Sequence, residues 1–286
     1  MISKNSLKNF IIVNGFLFLL GYYQYQFIMY AENIYHSRLF LKFLFTLFVF
    51  VTRNYMLLNF IDYGTKNKPN ISIDYENIPK EEYKYEFHIN VITTTTLETI
   101  TYLFVKQYQF QNVNFYTSIS NHITYIIYND LVSFIPYSFI YEVIFDFFHY
   151  TTHRLLHNKH LYKYIHKKHH KFKHPFSIIT FYQDPLDLLI TNSIPTILSI
   201  LLLRKISHLQ FNVILVYKNF IEISGHTGKI VYPACSFSQF IWLPKMLHIE
   251  LYTDDHDLHH SLNNCNYSKR FSLWDKVFGT YKSSKM

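Results

Sequence analysis

The sequence predicts an all-α integral membrane protein, with about four transmembrane helices carrying a histidine-rich helical cap on their cytosolic side. Three observations predict it. Apolar residues make up 49% of the chain and aromatics 20%, while only 16% are charged, against about 25% in a soluble domain. The apolar residues gather into separated stretches of near-membrane length. Histidines concentrate where basic residues do: seven of the twenty-two residues in HRLLHNKHLYKYIHKKHHKFKH, 153 to 174, are histidine, with lysines among them.

The N-terminus places basic residues before an apolar stretch from Phe10 to Ala31. It lacks the small-residue cleavage site of a signal peptide and reads as a span. Residues 39 to 61 form a second span, interrupted by Lys42 and Arg53, which are expected to snorkel from its ends. Residues 62 to 90 are polar and read as a loop, and 91 to 120 carry no decisive pattern. From Ile123 to Phe148 the chain is apolar again, with Asp130, Glu142 and Asp146 embedded. A charge at mid-bilayer costs about 2.5–3.5 kcal/mol on insertion scales, so these acids are expected to face a polar interior. The stretches 188 to 203 and 209 to 225 are shorter than the ~20 residues of a full crossing. They suit two short crossings or one re-entrant hairpin, with Pro195 as a bend, and either returns the chain to the side it left. With no internal repeat visible, two regions are expected: spans and polar loop over 1–120, and one domain over 121–286.

The net charge is +8, yet no arginine-rich arm or nucleic-acid module is present. Seven basic residues lie from Arg154 to Lys173, and no Asp or Glu occurs between 147 and 183. Lys and Arg mark cytosolic segments of membrane proteins, so the histidine run is placed on the cytosolic surface. Cys235 and Cys265 stand 30 residues apart without a CxxC and read as ordinary thiols.

Four histidine pieces remain. HRLLH holds His153 and His157; HKKHH holds His166, His169 and His170; HDLHH holds His256, His259 and His260; a lone His226 sits in SGHTG. Spacings of i, i+3 and i+4 put side chains on one helix face, where imidazoles converge on a metal such as iron, copper, nickel or zinc. His166 follows His157 by nine residues, about half a turn out of phase on an unbroken helix. If both boxes serve one site, the chain must break near Asn158 to His160. A His/Lys run can be a mere solvated cationic face, but the same spacing recurring in separated segments favours metal binding. His149, His160 and His174 fall outside the pattern and are given supporting or surface roles; His36, His88, His122, His208 and His248 are read as structural. Asp146 and Asp257 are candidate carboxylates for holding ligand histidines from behind.

These residues carry a resemblance. From Asp146 to Lys282, with DFFHYTTHRLLHNKHLYKYIHKKHH, DDHDLHH and the tail WDKVFGT, the chain resembles the fatty acid hydroxylase / sterol desaturase superfamily. PLD at 185 to 187 and SGHTG at 224 to 228 look most like sterol C-5 desaturases (lathosterol oxidases). The resemblance implies two iron ions held by His153, His157, His166, His169, His170, His226, His256, His259 and His260. It implies O2-dependent hydroxylation or desaturation of a membrane lipid, sterol or acyl, with electrons from NAD(P)H through cytochrome b5 or a similar carrier. Residence in the endoplasmic reticulum is implied likewise. The chain departs from the family pattern at Asp184, where relatives commonly have histidine, and at Ile230, where many carry a second one; Asp184 is a candidate oxygen ligand. The alternatives are a zinc-dependent membrane hydrolase, a metal transporter and an inactive relative. No HExxH is present for the first, and a transporter's site belongs near the bilayer midplane.

Overall fold

Long apolar stretches fold as helices because a helix alone satisfies its own backbone away from water. In a computed structural model, residues 4–72, 81–110, 130–231 and 236–283 are described. His122, Cys235 and the boundary between 120 and 121 lie outside them. The described residues form six long helices and a C-terminal set of short ones: α1 (Lys4–Ile34), α2 (Leu39–Thr65), α3 (Lys84–Gln109), α4 (Phe134–Leu156), α5 (Pro185–Leu202) and α6 (His208–Gly225). A seventh, α7 (Thr253–Leu262), carries HDLHH.

Among the described residues, three helices are long and apolar enough to cross a membrane: α1 from Leu7, α2 and α5. Their outward faces carry exposed apolar residues such as Ile11, Phe27, Phe48 and Leu202, the pattern of a surface bathed in lipid. α6 is the axis, buried from His208 to Ile223 except at Phe220. α1 packs closest against it, because a Cβ at Gly21 would stand 2.8 Å from the Val213 Cα. One hydrophobic core runs through α1 to α6, from Leu17 and Phe50 to Tyr141 and Ile223. Helices from both sides of the expected division at 120 therefore share it.

Several expectations meet a different outcome. The polar loop is narrower than 62 to 90, because polar turns continue α2 to Thr65 and begin α3 at Lys84. The undecided stretch from 91 is helical as far as Gln109. Its threonines satisfy their own hydroxyls on the preceding turn, as Thr94 does on the Asn90 carbonyl (2.7 Å) and Thr96 on Ile92 (2.8 Å). The reversal after 188 comes at residues 203–207, where Ser207 and Gln210 form a reciprocal cap for α6. Pro195 instead lies within α5, just after a π-helical turn at Leu189–Ser193. A proline has no N–H for the carbonyl four residues back, and that carbonyl, on Thr191, accepts a hydrogen bond from His149 Nδ1 (2.7 Å).

Nor does Arg53 snorkel. It is 1% exposed, with Nη2 on Glu98 (2.6 Å), Nη1 on Gln24 (3.1 Å) and Nε on Asn54 (3.1 Å). A guanidinium enclosed between helices needs all of these partners to offset its lost hydration. Removing one partner of such a pair costs about 3–5 kcal/mol. Arg53→Met should therefore lower the melting temperature of the detergent-purified protein, and adding Glu98→Gln should recover part of the loss. A single mutant melting like wild type would contradict this role.

Candidate metal centre

Each histidine box is delivered by a different piece of backbone. HRLLH closes α4, with His153 in its last turn and His157 at its C-cap. There the chain breaks. Asn158 turns extended (φ −62°, ψ 135°) and its side chain accepts from the His160 amide, the break that the nine-residue offset requires. A short turn then enters a π-helical turn, Tyr162–His166, followed by a 3-10 turn, His169–Lys171. His226 caps the end of α6, and α7 supplies HDLHH.

The nine imidazoles meet in two groups able to hold a metal ion: His153, His157, His166, His170 and His259 in one, His169, His226, His256 and His260 in the other. The groups adjoin, since the rings of His170 and His260 stand 4.6 Å apart. One refinement emerges. In every box the i and i+4 members share a group, while the i+3 members, His169 and His259, go to the other. On an α-helix such as α7, i+4 lies about 40° from i but i+3 lies about 60° the other way, so one HxxHH can serve two neighbouring sites; the π and 3-10 turns carrying HKKHH give the same partition.

Proton positions follow from the partners. Nδ1 of His153 faces the Tyr267 carbonyl, of His259 the Cys265 carbonyl and of His226 the Glu222 carbonyl, each at 2.7 Å. A carbonyl only accepts, so each Nδ1 carries the hydrogen and each Nε2 presents a lone pair. His166 Nδ1 is held likewise by Asp187 (2.8 Å). Yet the Nε2 atoms face one another: His153 and His166 at 3.0 Å, His166 and His170 at 3.0 Å, His226 and His256 at 3.1 Å. For His153 and His166, whose Nδ1 hydrogens are both committed, two lone pairs meet at that distance and repel unless a cation lies between them. Two donors about 2.1 Å from one ion, at angles of 90–109°, lie about 2.9–3.4 Å apart, which matches. Buried nitrogens without a hydrogen-bond partner complete the set, among them His259 Nε2 and both ring nitrogens of His260. This donor set fits a metal.

Burial, reinforced by neighbouring imidazoles, holds His169, His170, His256 and His260 well below the usual histidine range. Burial likewise takes His259 down to about 3 and His226 to about 4. Neutral imidazole is the form that ligates. Lys163, Lys167 and Lys171 of the same run are exposed: the run turns its grouped histidines inward and these lysines out.

The three candidate carboxylates stand elsewhere. Asp146 accepts the amides of Lys269, Arg270 and Phe271 (2.7, 2.8 and 3.1 Å). Asp184 caps α5 through the Leu186 amide (2.9 Å) and lies outside both groups. Asp257 meets His174 Nδ1 (3.2 Å), not a grouped histidine; burial raises its carboxyl. Ile230 is 51% exposed. The carboxylate that does hold a grouped histidine is Asp187, within the PLD already singled out, and the three carbonyl partners have no side-chain signature at all. The C-terminal tail explains one of them. Asp275 accepts the amides of Tyr267 and Ser268 (2.9 and 2.8 Å), and Trp274 Nε1 donates to Val143 (3.2 Å). Together with Asp146 these fix the segment whose Tyr267 carbonyl meets His153.

Outer partners of ligating histidines typically contribute 10–100-fold to metal affinity. Asp187→Ala should weaken metal binding by about 10–100-fold in chelator competition, while Asp184→Ala leaves it unchanged. Equal losses would contradict the assignment.

The fatty acid hydroxylase family model matches residues 138–280, half of the chain. The chain is 32% identical over 154 residues to fatty acid hydroxylase vlmA of Lecanicillium sp, covering 50% of this chain and 41% of that protein. It is 38% identical over 140 residues to methylsterol monooxygenase 1 of Rattus norvegicus, covering 48% and 44%, and 28% identical over 162 residues to cholesterol 25-hydroxylase of Mus musculus, covering 55% and 50%. The chain thus spans half or less of the length of these relatives. No solved structure matches. The region that matches supplies every histidine of both groups, and the chain belongs to the fatty acid hydroxylase family.

Proposed function

We propose that this protein is a membrane-bound lipid hydroxylase whose nine grouped histidines hold two iron ions. The observation that carries the reading is the convergence of nine buried or half-buried imidazoles in two adjoining groups, with the bare Nε2 atoms of His153 and His166 facing at 3.0 Å. Two irons bound there would supply O2-dependent attack on an unactivated C–H bond, chemistry that redox-inert zinc does not offer. The chain's own contribution is to keep the nitrogens neutral, fix their orientation from behind and exclude water around them. Reducing equivalents would come from NAD(P)H through cytochrome b5 or a similar carrier.

The substrate class is a sterol or acyl lipid, by analogy with relatives named methylsterol monooxygenase and cholesterol 25-hydroxylase. Hydroxylation is preferred to C-5 desaturation. The two motifs that look desaturase-like build the site in this fold: PLD provides Asp187 for His166, and SGHTG provides His226 itself. They therefore do not discriminate the outcome. The exposed lysines of the histidine run support a cytosolic placement of the cap, and the endoplasmic reticulum is the compartment proposed with it.

Metal analysis of the purified protein should find two irons per chain; zinc held stably without O2 consumption would contradict the reading. His169→Ala and His259→Ala, one from each group, should each abolish lipid oxidation while membrane insertion persists. Cells carrying the gene should show a lipid gaining the mass of one oxygen atom, absent from cells without it. Full activity in either mutant would remove that histidine from the site.

A further inference from the structure

A cavity of about 450 Å³ lies between the cap-side ends of α1, α2 and α6, within the ~300–1,000 Å³ typical of small-molecule sites. Phe10 and Val13 of α1, Phe60 and Ile61 of α2, and Phe220 and Ile221 of α6 give it apolar walls. At its inner end stand His226 and His256. Both belong to the four-histidine group, and no member of the five-histidine group lines it. At its outer end it includes Ile12 of α1, which is 49% exposed and continuous with the lipid-facing residues Ile11 and Leu19. The cavity thus joins the bilayer-facing surface to one group and not to the other.

Donor number separates the two groups in the same sense. One group offers five imidazoles and the other four, so an ion held by the four-histidine group would have fewer positions taken by protein, as an ion that must meet substrate requires. Resting on the metal-centre reading above, we propose that the lipid substrate enters from the bilayer between α1 and α2. It lies with its hydrocarbon body in this cleft and presents the carbon to be oxidised to the four-histidine group. The two groups are then inequivalent: one faces substrate, while the other is closed off by protein.

Gly225 offers a direct handle. It lines the cavity, is only partly exposed, and a Cβ there would meet nothing within 4 Å, so a larger side chain projects into empty space. Val13 narrows the same cleft from α1, a helix that supplies no histidine to either group. The experiment uses the full iron-loaded chain in lipid nanodiscs with two photoreactive probes, a diazirine sterol and a diazirine C18 fatty acid. Adducts should map by mass spectrometry to residues 10–14 and 60–65. Gly225→Leu and Val13→Trp should each cut adduct yield by about tenfold, a loss of about 1.4 kcal/mol in binding, with the iron content of Val13→Trp unchanged. Labelling by one probe alone supports the cleft and identifies the lipid class. Adducts absent from both segments, or undiminished in both variants, overturn the proposal. Wild-type protein without iron but with these adducts sinks the iron reading and leaves the cleft standing.

Discussion

The constraint on which this structure depends is the facing of bare imidazole nitrogens. Four Nδ1 atoms are committed to acceptors, three backbone carbonyls and one carboxylate, so their Nε2 lone pairs have one direction left, inward. Lone pairs that approach to about 3 Å in a buried site are mutually unfavourable until a cation takes the place of the absent protons. A sequence that fixes the hydrogens on the outer nitrogens has therefore committed itself to a positive charge inside. Much of the scaffold around the cap serves that end. Asp146 and Asp275 spend their oxygens on amides from Tyr267 to Phe271, and thereby hold one carbonyl against His153. Pro195 frees another carbonyl, on Thr191, for His149, whose ring packs 4.9 Å from that of His153.

In α7 the partition of HDLHH follows from helical geometry more than from the residues themselves. An i, i+4 pair can reach one ion; the i+3 member is turned away by about 100° from i+4 and needs a second ion to be useful. HxxHH is thus a two-site device, and its recurrence in two separated segments lets each group draw donors from both. His226 then fills the group that lacks the HxxxH pair. The antiparallel bridge between Asn70 and Lys229, with Ile230 donating to Pro69 and Ile71 to Gly228, ties the segment after His226 to the end of α2.

How much of this was legible in the sequence depends on what kind of interaction carries it. All nine grouped histidines were readable, because side-chain identity and spacing are written in the chain, and so was the break after His157, because nine residues cannot be reconciled with 3.6 per turn. The carbonyl acceptors were not, since a backbone oxygen has no letter. Asp187 was visible only as part of PLD; without a fold, nothing brings a residue 21 positions away back to His166. Asp146 was noticed for the right reason, a carboxylate too costly to leave in lipid, but its compensation came from three amides and not from an imidazole. Arg53 misled in the same way. Hydropathy locates a charge along a span but not around it, and this one points into the bundle.

The remaining buried charges show why a membrane protein tolerates them at all. Arg270, fully buried, bridges Glu142 of α4 (2.7 Å) and Glu222 of α6 (3.0 Å). Glu222 also pairs with Lys218 (2.8 Å) and Lys269 (3.5 Å). Glu142 and Glu222 thus share Arg270 within one buried network, while Asp146 is satisfied by backbone amides. Ion pairing alone would not justify the arrangement, because a well-packed apolar cluster is often the more stable choice. What the ions supply is position. Arg270 locks α4, the source of His153 and His157, to α6, the source of His226, through its ion pairs with Glu142 and Glu222. Two helices so joined carry donors for different groups, and an offset of one turn between them would break both ion pairs at once.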